Sequence, residues 1–116
     1  MTKSWRVTQQ AEQSLLDIAQ WTVETFGPRQ AQAYEQDILA KMDDIAAGVA
    51  HSQSCRTLID GNLAEDIRFT RVGGHYLIYA EYPSSFILID LLHQRADLPR
   101  HLAGKGMLHS TGQNLS

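Results

Sequence analysis

An α+β domain with the element order β-α-α-β-β-β, in which a helical hairpin packs on a small, mostly antiparallel sheet, is predicted by three observations. Two segments with helical periodicity meet at Gly27-Pro28, three segments with strand character follow residue 66, and a short β-prone stretch precedes the first helix. The order places both helices before the run of strands, so the hairpin covers a face of the sheet and no repeated βαβ unit is expected.

Taken in order, Trp5-Arg6-Val7 reads as an N-terminal strand. Thr8 can cap the first helix, with Glu12 in its first turn as the favourable sign for the helix dipole. Ala11, Leu15, Ile18, Ala19, Thr22 and Phe26 recur every three or four residues and form one helical face. Gly27 suits a helix C-terminus and Pro28 the first turn of the next helix, where its missing N–H is not needed. The second helix repeats its apolar positions at Ala31, Tyr34, Ile38, Met42, Ile45 and Val49. So short a joint predicts an antiparallel pair.

From Gly48 to Ala64 the pattern dissolves into a long connection, with a turn at Asp60-Gly61-Asn62. Ile67-Arg68-Phe69-Thr70-Arg71 then alternates and predicts a strand with a polar, partly basic face to solvent. Gly73-Gly74 predicts a turn, and His75–Tyr82 and Phe86–His93 two further strands. The last is apolar on both faces, with Ile87, Ile89 and Leu91 on one and Phe86, Leu88 and Leu92 on the other, which predicts a place in the sheet interior. Asp97 is expected to cap a short helix over Leu98–Ala103, and residues 104–116 to form a loose tail.

The net charge of −3 argues against holding nucleic acid mainly by phosphate neutralisation. One cysteine, Cys55, permits no intrachain disulfide and reads as a loop residue. The N-terminus carries no apolar signal core and no stretch approaches a membrane span, so the expected compartment is the cytoplasm. The five histidines show no metal-ligand spacing, and neither a nucleophile elbow nor a phosphate-binding loop is present. No metal or cofactor is expected.

The residues left to carry function are basic and aromatic and surround the sheet: Arg68, Arg71, His75, Tyr76, Tyr79, His93, Arg95, Arg100 and His101. They include the types a metal-independent RNase needs, a base, an acid and a cation for the charged intermediate. At strand ends, His75 and His93 can equally bridge core and solvent, so His93 stands between a docking role and general acid–base work. Tyr34 and Met42 at helical spacing read as core or as contact residues, whereas Trp21, at the edge of its helical face, is expected in an exposed apolar patch of the kind that marks a partner.

Phe26-Gly27-Pro28 with Gln30-Ala31 and Tyr34, the strand pair Gly73-Gly74-His75-Tyr76-Leu77-Ile78-Tyr79, and Leu92-His93-Gln94-Arg95 with Asp97 together resemble the ParE branch of the RelE/ParE toxin superfamily over Trp5 to Leu102. The resemblance implies a toxin domain over residues 1–103 and a non-enzymatic toxin of a type II toxin–antitoxin pair, which blocks the cycle of DNA gyrase and leaves cleaved DNA behind. It also implies a ParD-like antitoxin as partner, with operator DNA reached only through that antitoxin, and no membrane role. Trp21, Tyr34, Arg68 and Arg71 are the expected antitoxin contacts. His75, Tyr79, His93, Arg95, Arg100 and His101 are the expected target contacts, or the active site under the alternative of a RelE-like ribosome-dependent mRNA endonuclease. Against that alternative, positions that carry cations in the RNA-cleaving branch are Ile67, Phe69 and Tyr76 in this chain. A third reading is a non-toxic module that only binds the antitoxin.

Overall fold

The computed structural model describes residues 2–54 and 66–96. Strand β1 (Ser4–Val7) leads into helices α1 (Gln9–Phe26) and α2 (Pro28–Ala47), a two-residue strand β2 (Gln53–Ser54), and strands β3 (Ile67–Val72), β4 (His75–Glu81) and β5 (Ser85–His93). The five strands form one sheet in the order β1-β5-β4-β3-β2, antiparallel except for the parallel β1–β5 pair. Strand β2, at the edge, was not legible in the long connection after Gly48. The expected C-terminal helix and tail, and the turn at Asp60-Gly61-Asn62, lie outside the described residues.

Thr8 caps α1 as its position predicts. Its Oγ1 accepts from the Ala11 N–H at 3.0 Å and donates to the Ile89 carbonyl at 2.6 Å, so one hydroxyl fixes both the helix start and its seat on β5. Gly27, at φ +97°, ends α1 by donating to the Val23 carbonyl, and Pro28 opens α2 without losing a needed donor. The turn is a single residue long, which forces the two helices side by side. Helix α2 stops at Ala47 and not at Val49. Gly48 takes the left-handed conformation and turns the chain, leaving Val49 66% exposed.

The main core lies between the hairpin and the sheet. Ala11 from α1, Ile38, Met42, Ile45 and Ala46 from α2, and Val72, Leu77, Tyr79, Phe86, Leu88 and Leu91 from the strands are all buried there. Each large apolar side chain so enclosed contributes about 1.5–3 kcal/mol relative to exposure. A smaller cluster of Ile67, Phe69, Ile78 and Ala80 occupies the other face of the sheet. The alternation of β3 is therefore as predicted, but its polar side does not face solvent. Arg68 and Thr70 turn to the hairpin side, where the segment after α2 supplies partners: Thr70 Oγ1 donates to the His51 carbonyl at 2.6 Å, and Arg68 Nε donates to Ser52 Oγ at 2.8 Å.

Strand β5 carries the feature that decides the site. Ile78 pairs with Asp90 but Tyr79 pairs with Leu88, so Ile89 is an extra residue and β5 bulges there. Beyond the bulge the two faces exchange. Leu91 joins Phe86 and Leu88 against the helices, and Leu92 packs with the opposite cluster, the reverse of the assignment strict alternation predicts. Helix α1 sits on the bulge and satisfies it: the buried Asp90 carboxylate accepts from Ser14 Oγ at 2.6 Å and from the Leu91 N–H at 2.7 Å.

Candidate functional site: a cleft at the hairpin tip

Because of the bulge, His93 falls opposite His75 on the hairpin side of the sheet. Their rings lie 5.5 Å apart, nearly perpendicular. Above them Tyr34 descends from α2, and its Oη lies 2.8 Å from the Val72 carbonyl and 2.7 Å from His75 Nδ1. The hydroxyl has one hydrogen, which the carbonyl can only accept. Tyr34 therefore donates to Val72 and accepts from His75 Nδ1–H, and this fixes the tautomer of His75 with Nε2 unprotonated.

The turn between β3 and β4 is shaped to receive that tyrosine. Gly73, at φ +54°, has no Cβ, and one placed there would lie 2.5 Å from Tyr34 Cε1 and 2.9 Å from its hydroxyl. Burial, above all, and the neighbouring His93 hold the His75 pKa below the usual histidine value, which keeps it neutral at pH 7. Burial likewise raises the Tyr34 pKa, against a smaller opposing effect of the Gly74 backbone. At the end of β5, the Arg95 N–H donates to His93 Nδ1 at 3.1 Å, so the neutral His93 ring carries its proton on Nε2.

These residues floor an open cleft of about 450 Å³ whose wall is the apolar side of the hairpin tip, Ile18, Trp21 and Phe26, with Asp17 and Gln30 also lining it. Trp21 and Phe26 meet edge to face at 5.7 Å and are 55% and 63% exposed. The exposed patch expected around Trp21 is thus present, and Phe26 belongs to it and not to the core face that periodicity predicts. A narrower crevice of about 230 Å³ between hairpin and sheet is lined mainly by apolar groups, among them Trp5, Leu15, Leu39 and Met42.

The residues proposed from sequence do not share one place. Trp21, Tyr34, His75 and His93 converge on the cleft, although they were assigned to two different partners. Arg68 stands apart, half-buried beside Ser52 with carboxylates of this same chain near it, Glu81 at 3.8 Å and Asp66 at 3.7 Å. Arg71 is exposed on the other face of the sheet, where it donates to the Gly73 carbonyl at 3.0 Å and to Gln94 Oε1. Tyr79 is corrected outright: 2% exposed and packed edge to face on Phe86, it is a core residue with no surface to offer a partner. Arg95 is exposed, and Arg100 and His101 lie outside the described residues. Sequence reasoning missed Phe26, Gln30 and Gly73 as site residues. The signal for Gly73 was its place in a Gly-Gly turn, which fixes the turn but not which side chain needs the space.

Each of the three sequence segments that carried the family resemblance contributes to this cleft: Phe26, Gln30 and Tyr34 from the first, Gly74 and His75 from the second, and His93 from the third. A family described as the ParE toxin of the type II toxin–antitoxin system parDE matches residues 5–98. The chain belongs to the ParE toxin family. Among solved structures it is similar to a chain of the chromosomal ParDE toxin–antitoxin system from P. aeruginosa, at a TM-score of 0.60 and 16% identity over 79% of this chain and 96% of that one. At that identity the likeness speaks for the fold. A search of curated proteins finds no match. As a ParE toxin, the chain is the toxin half of its system. Among the described residues no helix is long and apolar enough to cross a membrane and no cluster of side chains is suited to a metal ion.

Proposed function

We propose that this ParE-family toxin acts by binding DNA gyrase and stalling its cycle, without chemistry of its own, and that a ParD-like antitoxin neutralises it. Family membership over residues 5–98 carries the reading. The chemistry of the cleft supports it. An RNase would need a cation beside its acid and base to stabilise the charged intermediate. Among the described residues lining the cleft there is neither Lys nor Arg, and His75 is held neutral. The positions where RNA-cleaving relatives would carry cations, Ile67, Phe69 and Tyr76, lie on the opposite face of the sheet. With a net charge of −3, the toxin reaches operator DNA only through its antitoxin.

The exposed Trp21–Phe26 pair and the cleft beside it are the surface for protein contact, and Tyr34 acts there by holding the floor in shape. The test sets purified toxin against gyrase supercoiling and, separately, against translating ribosomes. Inhibited supercoiling with intact messenger RNA is expected. Ribosome-dependent cleavage with normal supercoiling would overturn the proposal in favour of a RelE-like endonuclease, and inactivity in both assays with antitoxin binding retained would leave a binding module. His93→Gln separates the mechanisms further, because an acid–base catalyst would lose about 100-fold or more in rate, whereas a contact residue changes affinity by about tenfold or less.

A further inference from the structure

We infer that the hairpin-tip cleft is a recognition pocket for a phenol, presented as a tyrosine side chain by a protein partner. The floor is two imidazoles whose tautomers are set by the fold. His75 gives its Nδ1–H to Tyr34 Oη, so the nitrogen left to the cleft, Nε2, is an acceptor. His93 Nδ1 takes the Arg95 N–H, so its Nε2 carries the hydrogen and is a donor. Among the described residues neither Nε2 has a protein partner.

A hydroxyl meets both demands through a single atom, donating to one nitrogen and accepting from the other. The two ring centroids lie 5.5 Å apart on one floor, so a single small polar group entering the cleft meets both imidazoles. The wall selects what carries that hydroxyl. Trp21 and Phe26 present aromatic faces and edges, Ile18 adds apolar surface, and the cavity of about 450 Å³ has room for a six-membered ring that enters from solvent. An aliphatic alcohol would satisfy the floor and waste the wall, and a phenylalanine would do the reverse. A carboxylate is disfavoured, since His75 Nε2 offers it a lone pair.

The source is a polypeptide because the apolar surface does not end at the cleft. Trp21 and Phe26 remain 55% and 63% exposed beside the cleft, more apolar surface than one ring covers, and a buried aromatic anchor within a wider contact is the usual organisation of a protein interface. Protonation is a built-in check. Once His75 gains a proton both floor nitrogens become donors, and the pairing with a hydroxyl loses its acceptor. The titratable groups that face it are Tyr34 on α2, His93 at the end of β5 and, across the cleft, Asp17 on α1, while Asp37 and Arg71 act on Tyr34. With His75 held below the usual histidine pKa, the preference for a phenol persists at pH 7 and fades only under acidic conditions.

The inference is independent of the gyrase reading, since phenol binding and supercoiling are measured separately and either can fail alone. The experiment titrates the full chain with p-cresol, toluene and N-acetyltyrosinamide while NMR follows the Trp21 indole and the two imidazoles. Both phenols are expected to shift those signals, with p-cresol binding about tenfold more tightly than toluene, the net worth of two hydrogen bonds. His93→Leu, at an exposed strand end, should cut that preference to about threefold, and His75→Phe should do the same from the other side of the floor. Equal affinity for p-cresol and toluene, a preference that survives both substitutions, or shifts confined to another surface would each overturn the pocket. Binding of p-cresol without N-acetyltyrosinamide would overturn the protein-borne source.

Discussion

Replacing Gly73 by alanine should break the site from beneath. Two costs add. At φ +54° a residue with a Cβ is strained by about 1 kcal/mol, and the new methyl would stand 2.5 Å from Tyr34 Cε1, well inside contact distance. The backbone is held by pairing of β3 with β4, Val72 opposite His75, so the ring must give way. In swinging out it forfeits the bonds to the Val72 carbonyl and to His75, at about 1 kcal/mol each. The sum is about 3 kcal/mol, a large part of the 5–15 kcal/mol that typically holds a domain together. Urea denaturation followed by circular dichroism measures it as a lower midpoint at unchanged slope. The same substitution in a Tyr34→Ala background meets no ring and should cost only about 1 kcal/mol, a coupling of about 2 kcal/mol in the double-mutant cycle. A cost under 0.5 kcal/mol for the single variant, or an equal cost in both backgrounds, would refute the claim that the turn is built around Tyr34.

The remaining predictions concern the bulge, the pH response and the exposed patch. Asp90→Ala should destabilise the fold by about 2–3 kcal/mol in the same denaturation assay, because the Leu91 N–H and the Ser14 hydroxyl lose a charged acceptor in a buried setting. His75 contributes stability that is fully present above about pH 6.5, the ordinary histidine value. Its folded pKa is lowered, so as pH falls through the window beneath that value the unfolded chain binds the proton first and stability drops. His75→Phe should flatten this slope in denaturation series between pH 7 and pH 5. Trp21→Ala removes a ring that is 55% exposed, so it should change stability by about 0.5 kcal/mol or less while weakening capture of the antitoxin at least tenfold in a titration, as expected of an aromatic anchor.

Much of the fold was legible because local rules and tertiary packing agree. Thr8, Gly27-Pro28 and the Gly73-Gly74 turn each satisfy a backbone requirement that neighbouring residues alone impose, and all three stand where the sequence places them. The misses share a cause. Phe26 and Val49 fit the helical period, yet Phe26 is the last residue of α1 and Val49 lies beyond the end of α2, and both are left exposed. Arg68 and Thr70 look like a solvent-facing strand edge because polar side chains usually are. The loop hydroxyl and carbonyl that draw them inward come from residues sixteen and nineteen positions away. Strand β2 is two residues long, too short for any period to register.

The sequence by itself determined the order of the elements apart from β2, the helical hairpin, the family and the types of side chain that matter. Only the tertiary structure decided which of them share a site. The deciding event is one extra residue in β5. Strict alternation sends His93 to the face away from the helices, and the bulge at Ile89 returns it beside His75. Nothing local demands that bulge. It persists because α1, anchored through Thr8 and Ser14, supplies partners for the Ile89 carbonyl and the Asp90 carboxylate, and those contacts span more than seventy residues of chain. A pattern read along the chain records which residues are apolar, whereas the face each one takes depends on a register that distant hydrogen bonds set.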